Sequence, residues 1–328
     1  MSLLFEPLTL RATTLPNRLV LPAMVTRLSG EDGHVNDDIR ERYVRFARGG
    51  VGLAVVEAMA VHGSKSGPLL RISSDELKPG LTDLAARMHD AGPGKVAPQI
   101  IHFLKISRSG WRQTIDMLSL DEIDAIVEAY GAAARRAREC GFDAVELHMA
   151  HAYTLSSFLS RMNARKDDYG GSLENRLRLP IRVLHRVRAE VGADFTVGVR
   201  FVGDECIRNG YTTVDAGPIA VRLAQEGADW ISLSAGGKFE DARRIEGEPL
   251  EPTCEAAVAS FTEGLTSSQR RQLAGVLSYR PGDVDPGAAD EDHSAAVRVT
   301  CLESPGKAWF AAPEDGTWKL ELPFCSGR

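Results

Sequence analysis

His148, His151 and Tyr153 stand close together just past the apolar run Asp143-Ala-Val-Glu-Leu. Two imidazoles beyond a strand end can donate hydrogen bonds to one carbonyl oxygen and stabilise the negative charge that develops there. A phenol has a reference pKa of about 10, so it is protonated at neutral pH and can serve as the acid. On these residues alone other readings stay open. The imidazoles can be a satisfied pair in a polar pocket or two ligands of a metal, and Tyr153 can be a core aromatic. No third metal ligand is near in sequence, so no metal is expected.

The three residues open a longer pattern. Phe158-Leu159-Ser160 follows, then Asn163-Ala-Arg165, Asp167, and Tyr169-Gly-Gly-Ser172-Leu-Glu-Asn-Arg176. This resembles the Old Yellow Enzyme signature H-x-x-H/N-G-Y-L…F-L-S…N-x-R-x-D-x-Y-G-G-S-x-E-N-R. Pro16-Asn17-Arg18, Pro22-Ala23-Met24, Gln99 with His102, Arg200 and Ser234-Ala-Gly-Gly237 resemble further positions of that family. The resemblance spans residues 1–240. It extends to the N-terminal barrel of 2,4-dienoyl-CoA reductase, without that protein's four-cysteine cluster and added domains.

The resemblance implies an FMN-dependent NAD(P)H oxidoreductase that reduces the C=C bond of α,β-unsaturated carbonyl compounds, an ene-reductase. NADPH or NADH reduces the flavin, which delivers hydride to a small enone or enoyl substrate. His148 and His151 then bind the substrate carbonyl, and Tyr153 binds substrate and donates the proton. Pro22, Ala23, Met24 and Val25 lie against the flavin ring. Gln99 meets its pyrimidine edge, and Arg200 its N1/O2 edge. Gly236 and Gly237 belong to the cofactor loop after strand six. Glu57, at the second strand end, is placed facing the flavin; Arg200 as an ion-pair partner of Glu57 or Asp204 is the alternative. Tyr169-Gly-Gly-Ser172 reads as a structural turn and helix cap.

The chain departs from the family at Val25, where a side chain unable to hydrogen-bond faces the flavin. At Ala152 an alanine replaces the usual glycine, strained if that position needs positive φ. No phosphate-binding glycine loop and arginine are recognisable after Gly237. Two rival functions therefore remain. One is a barrel remnant with weak or no FMN binding. The other is a flavin-dependent amine dehydrogenase or demethylase, which the histidine pair disfavours because a cationic amine prefers aromatic or acidic walls.

These residues must be positioned by repeating elements. Short apolar runs begin at Arg18, Gly52, Lys95, Asp143, Phe195 and Asp229, each but the last followed by a helical pattern: Asp37–Arg48, Pro79–Ala91, Asp121–Cys140, Leu173–Val191 and Val214–Glu226. Val/Ile/Leu-rich runs suit strands buried on both faces, and strand–helix alternation implies parallel pairing. Ser119 and Ser172 are expected N-caps, and Gly141 and Gly227 expected left-handed helix ends. Functional-looking residues gather at nearly every strand's C-terminal end, which favours an α/β (β/α)₈ TIM barrel over a doubly wound sheet. Residues 1–240 are expected to form the barrel core of strands one to six, which the resemblance makes FMN-binding. Residues 241–328 read as a diverged or aberrant region, with strands seven and eight poorly supported. Helices at Glu255–Gly264 and Ser267–Leu277, strands at Ala295–Leu302 and Trp318–Leu322, and disorder around 280–294 are expected there.

The 328 residues are 43% hydrophobic and 26% charged, ordinary globular usage. A net charge of −6 gives no reason to expect nucleic acid as a partner. No apolar stretch is long enough to span a membrane, and no secretory signal opens the chain. Five scattered cysteines without a Cys-x-x-Cys pair argue against a cluster or a disulfide framework, and the cytoplasm is the simplest compartment. A homo-oligomer stays open.

Overall fold

The computed structural model describes residues 3–64, 67–105, 112–236, 299–300 and 308–309. Strands β1 (Leu8–Leu10) and β2 (Thr13–Leu15) pair as an antiparallel hairpin. Six parallel strands follow: β3 (Val20–Leu21), β4 (Leu53–Ala60), β5 (Lys95–Ile101), β6 (Ala144–Met149), β7 (Thr196–Asp204) and β8 (Trp230–Ala235). Each is hydrogen-bonded to the next in chain order. A doubly wound sheet reverses its strand order at a switch point. None occurs here, and the curled sheet with alternating helices is that of a TIM barrel. The remaining short strands, β9 (Val299–Thr300) and β10 (Ala308–Trp309), pair antiparallel. β9 falls inside the expected strand Ala295–Leu302; the other elements expected after residue 240, and the loop at 280–294, lie outside the described residues.

Helices α1 (Asp37–Arg48), α2 (Lys78–Ala91), α3 (Leu120–Glu139), α5 (Leu173–Val191) and α6 (Thr213–Gln225) alternate with the strands, and a short α4 (Thr154–Leu159) follows β6. The starts are capped as their residue types require. Ser119 forms a capping box with Glu122 on α3, and the Ser172 hydroxyl accepts from the Asn175 N–H at 3.2 Å on α5. Gly141 and Gly227 take φ of 85° and 105° beyond α3 and α6. The first strand is shorter than the run from Arg18 to Met24. Pro22 has no N–H to donate, so the ladder stops at Leu21.

Period-two alternation divides the strands between two cores. Val145, Leu147, Met149, Val197, Val199, Phe201 and Ile231 pack with the helices. Ala97, Ala144 and Trp230 point the other way, packing with Leu53, Val55 and the hairpin residues Leu8 and Leu15. The hairpin plugs the N-terminal end of the barrel: Thr196 donates to Leu10 O at 2.9 Å, and Thr13 donates to Asp143 O at 3.3 Å. Trp230 fills the interior because its neighbour on β7 is Gly198, where a Cβ would lie 1.8 Å from the indole. The inward-facing layer therefore runs from apolar at the hairpin to polar at the strands' C-terminal ends, where Gln99, Glu146, His148, Arg200, Ser232 and Ser234 stand. No described helix is long and apolar enough to cross a membrane.

Candidate active site

His148 sits near the end of β6 and is 4% exposed. Beyond it the backbone turns through two successive left-handed residues, His151 (φ 57°) and Ala152 (φ 54°). This turn folds the His151 ring back beside His148, and Tyr153 then stands at the N-cap position of α4. One line of hydrogen bonds connects the pair. The Ala150 N–H donates to His148 Nδ1 at 3.2 Å. His148 Nε2 lies 3.2 Å from His151 Nδ1, and His151 Nε2 lies 2.7 Å from Ser234 Oγ on β8. Since Nδ1 of a neutral His148 accepts, its proton is on Nε2, directed at His151. Tyr153 completes the group, its ring 5.2 Å from that of His148 and perpendicular to it. Burial raises the phenol's pKa and the Arg27 guanidinium opposes that rise, so the phenol stays protonated through neutral pH. The ring rests against Ala58, Ala60, Leu69 and Ile101.

Beneath the pair lies a buried polar layer. Gln99 Nε2 donates to Glu146 Oε1 at 2.7 Å, while Ser232 Oγ and Trp230 Nε1 donate to Oε2 at 2.7 and 3.2 Å. Arg200 is the register partner of His148 across β6 and β7. Its guanidinium donates to Ala23 O at 3.1 Å and makes no ion pair with Glu57 or Asp204, and its buried Nε has no protein partner. Burial pushes its pKa down and the Glu146 carboxylate opposes that.

The segment after β3 forms the opposite wall. Met24 and Val25 are 41% and 44% exposed, an apolar shelf at the strand tips, and Pro22 and Ala23 lead into it. Glu57 takes a position other than the expected one. A register shift between Val56 and Met59 inserts a bulge, so Ala58 and Ala60 point inward in its place. The Glu57 carboxylate instead accepts from Thr26 N at 3.3 Å, Thr26 Oγ1 at 2.7 Å and Tyr43 OH at 3.3 Å. Burial raises its pKa above the usual carboxylate range. It anchors the shelf segment rather than facing the barrel interior. Gly236 has φ 73° and donates to Asp204 O at 2.9 Å. Gly237 lies outside the described residues.

The rest of the long motif is scaffold. Asn163 Nδ2 donates to Phe158 O and Tyr169 O at 2.9 and 2.7 Å, and Arg176 donates to Leu159 O at 2.7 Å. A Cβ on Gly170 would lie 2.2 Å from Arg165 O, so only glycine fits there. His102 links β5 to α4 through Nδ1 and Thr154 Oγ1 at 2.8 Å. Sequence reasoning brought together His148, His151, Tyr153, Gln99 and Arg200, and missed Glu146, Ser232, Trp230, Ala58 and the Ser234 contact. Period-two counting back from His148 to Glu146 would have found the first of these.

The residues suit a flavin mononucleotide. Arg200 offers a buried guanidinium edge with an unpartnered Nε, Gln99 keeps its carbonyl oxygen for a ligand, and Met24 and Val25 present an apolar face. Among the described residues no group of three or more His, Cys, Asp or Glu is placed to hold a metal.

Fold and site together define a TIM-barrel oxidoreductase of the flavin-dependent class. The chain belongs to the NADH:flavin oxidoreductase / NADH oxidase family, whose model matches residues 3–242. It is 34% identical over 241 residues to an NADH oxidase of Thermoanaerobacter brockii, covering 67% of this chain but 37% of that longer protein. An NADPH dehydrogenase of Geobacillus sp. (strain WCH70) is 36% identical over 252 residues, 72% of this chain and 73% of the relative. The NADPH dehydrogenase of Geobacillus thermodenitrificans is 34% identical and aligns over 98% of this chain and 97% of its own, so the alignment extends beyond the family-like first 240 residues. Among solved structures, morphinone reductase superposes with a TM-score of 0.61 at 26% identity, covering 70% of this chain and 71% of its own.

Proposed function

We propose that the chain is an FMN-dependent NAD(P)H oxidoreductase that reduces the activated C=C bond of an α,β-unsaturated carbonyl compound. The observation that carries this reading is the single hydrogen-bonded line through His148 and His151, with the Tyr153 ring set perpendicular to His148. Bound FMN, recharged by NADPH or NADH, supplies the hydride that adds to the β-carbon.

The protein's own groups do the rest. His148 Nε2–H is already oriented as a donor and turns to a carbonyl oxygen entering beside it. His151 joins as second donor once its proton is on Nδ1. The Ser234 hydroxyl supports either tautomer, because it can accept from Nε2 or donate to it. Both donors act where the negative charge grows during reduction, and in a water-poor pocket such donors are worth more than in water. Tyr153 supplies the proton to the α-carbon. Arg200 would favour the added negative charge of reduced FMN, Gln99 would hold the pyrimidine edge, and Pro22–Val25 would support the ring, with Gly236 in the cofactor loop.

The test is enone-dependent turnover. Purified chain supplied with FMN should take up the flavin, bleach with NADPH under anaerobic conditions and regain colour with cyclohexenone. A chain that takes up no flavin supports the barrel remnant instead. One that is reoxidised by no enone is not an ene-reductase.

A further inference from the structure

Glu146 is 1% exposed, two residues before His148 on β6, and faces the barrel interior. A carboxylate so deep is costly unless its oxygens are satisfied. All three of its partners donate to it: the Gln99 amide, the Ser232 hydroxyl and the Trp230 indole. An indole N–H can only donate, so this is the accept-only pattern of an ionised carboxylate. Among the described residues no cation forms an ion pair with it, and Arg200, the buried guanidinium of the same layer, feels its charge.

Two consequences follow for a ligand held above this layer. With Nε2 committed to Glu146, Gln99 has its carbonyl oxygen left to present. The positive charge of Arg200 is also partly offset from below. We propose that Glu146 is a positioning residue for the flavin: it fixes which end of the Gln99 amide meets the ring edge and holds the flavin's reduction potential below the value Arg200 alone would set. The inference rests on the FMN reading above.

The test uses the full chain loaded with FMN. Glu146→Gln removes the charge and keeps the size. Arg200 then acts without its counterweight, and reduced FMN should gain about tenfold in affinity relative to oxidised FMN, a rise of about 30 mV for a two-electron couple, read by dye equilibration. Glu146→Asp keeps the charge but is one methylene shorter and lets go of Gln99. Its potential should stay near the wild-type value while FMN affinity, read by fluorescence quenching, falls several-fold. Should Glu146→Gln fail to fold, Glu146→Asp decides alone. Variants with wild-type potential and wild-type FMN affinity overturn the inference and leave the flavin reading standing. A wild-type chain that binds no FMN overturns both.

Discussion

Nε2 of His148 and Nδ1 of His151 lie 3.2 Å apart, so the two rings are joined by a hydrogen bond. The arrangement follows from the Ala150 N–H, which occupies the other nitrogen of His148, and from two left-handed residues that bring His151 back over the end of β6. The pair is thus held in one hydrogen-bonded line whose outer end is closed by Ser234.

Tyr153→Phe should leave NADPH-driven flavin reduction near wild type and slow reoxidation by cyclohexenone by about 10²–10⁴-fold, the usual worth of a positioned acid. The raised phenol pKa adds a sign: the wild-type oxidative half-reaction should hold its rate up to pH values above an ordinary tyrosine's titration. Stopped-flow absorbance across pH checks both points, and an alkaline decline shared by Tyr153→Phe would remove the assignment.

Ala152→Gly should stabilise the protein. An L-residue in the left-handed region costs about 1–2 kcal/mol, part of which is returned as glycine's greater unfolded-state entropy, leaving a net gain of about 0.5–1 kcal/mol. The readout is the urea midpoint, which should rise with an unchanged slope. A lower midpoint would show that Ala152 is not strained.

Gly198→Ala should do the opposite. Its Cβ would fall 1.8 Å from Trp230 Cε2, inside a layer that cannot give way. Overpacking of this kind costs about 1–3 kcal/mol or more. Because Trp230 also donates to Glu146, FMN affinity should fall together with stability.

Acid should weaken the fold through His102 and His62. Burial lowers His102 to about 3, with the His62 charge adding, and lowers His62 to about 4, with Arg71 adding. Both titrate near pH 6.5 when unfolded. Below that value the unfolded chain binds more protons, so stability falls as pH drops from 6.5 toward 4, by about 1.4 kcal/mol per pH unit for each histidine. Urea unfolding of His102→Gln at pH 7, 5.5 and 4.5 should show a shallower acid slope than wild type. An identical slope would clear His102 of the role.

Much of the barrel was legible because its strands are buried on both faces and read as uninterrupted Val/Ile/Leu runs, while the helix caps carry the residue types their geometry needs. The clustering of His148, His151 and Tyr153 was legible because all three come from one short segment. Glu57 was misread: counting by twos from Leu53 places it inward, but a bulge, which has no clear sequence mark, turns it to Thr26 and Tyr43. Glu146 was passed over because an acid inside an apolar strand shows its meaning only when Gln99 arrives from β5 and Ser232 and Trp230 from β8. The hairpin β1–β2 and the helix α4 are too short to carry a period.

The central claim is that the histidine pair acts on the substrate and not on flavin reduction. Stopped-flow comparison of both half-reactions in wild type and in His148→Ala/His151→Ala, each loaded with FMN, tests it most directly. Flavin reduction by NADPH should proceed at a rate near wild type, and reoxidation by cyclohexenone should slow by about 10²-fold or more. Equal slowing of both half-reactions, or reoxidation as fast as wild type, would contradict the account.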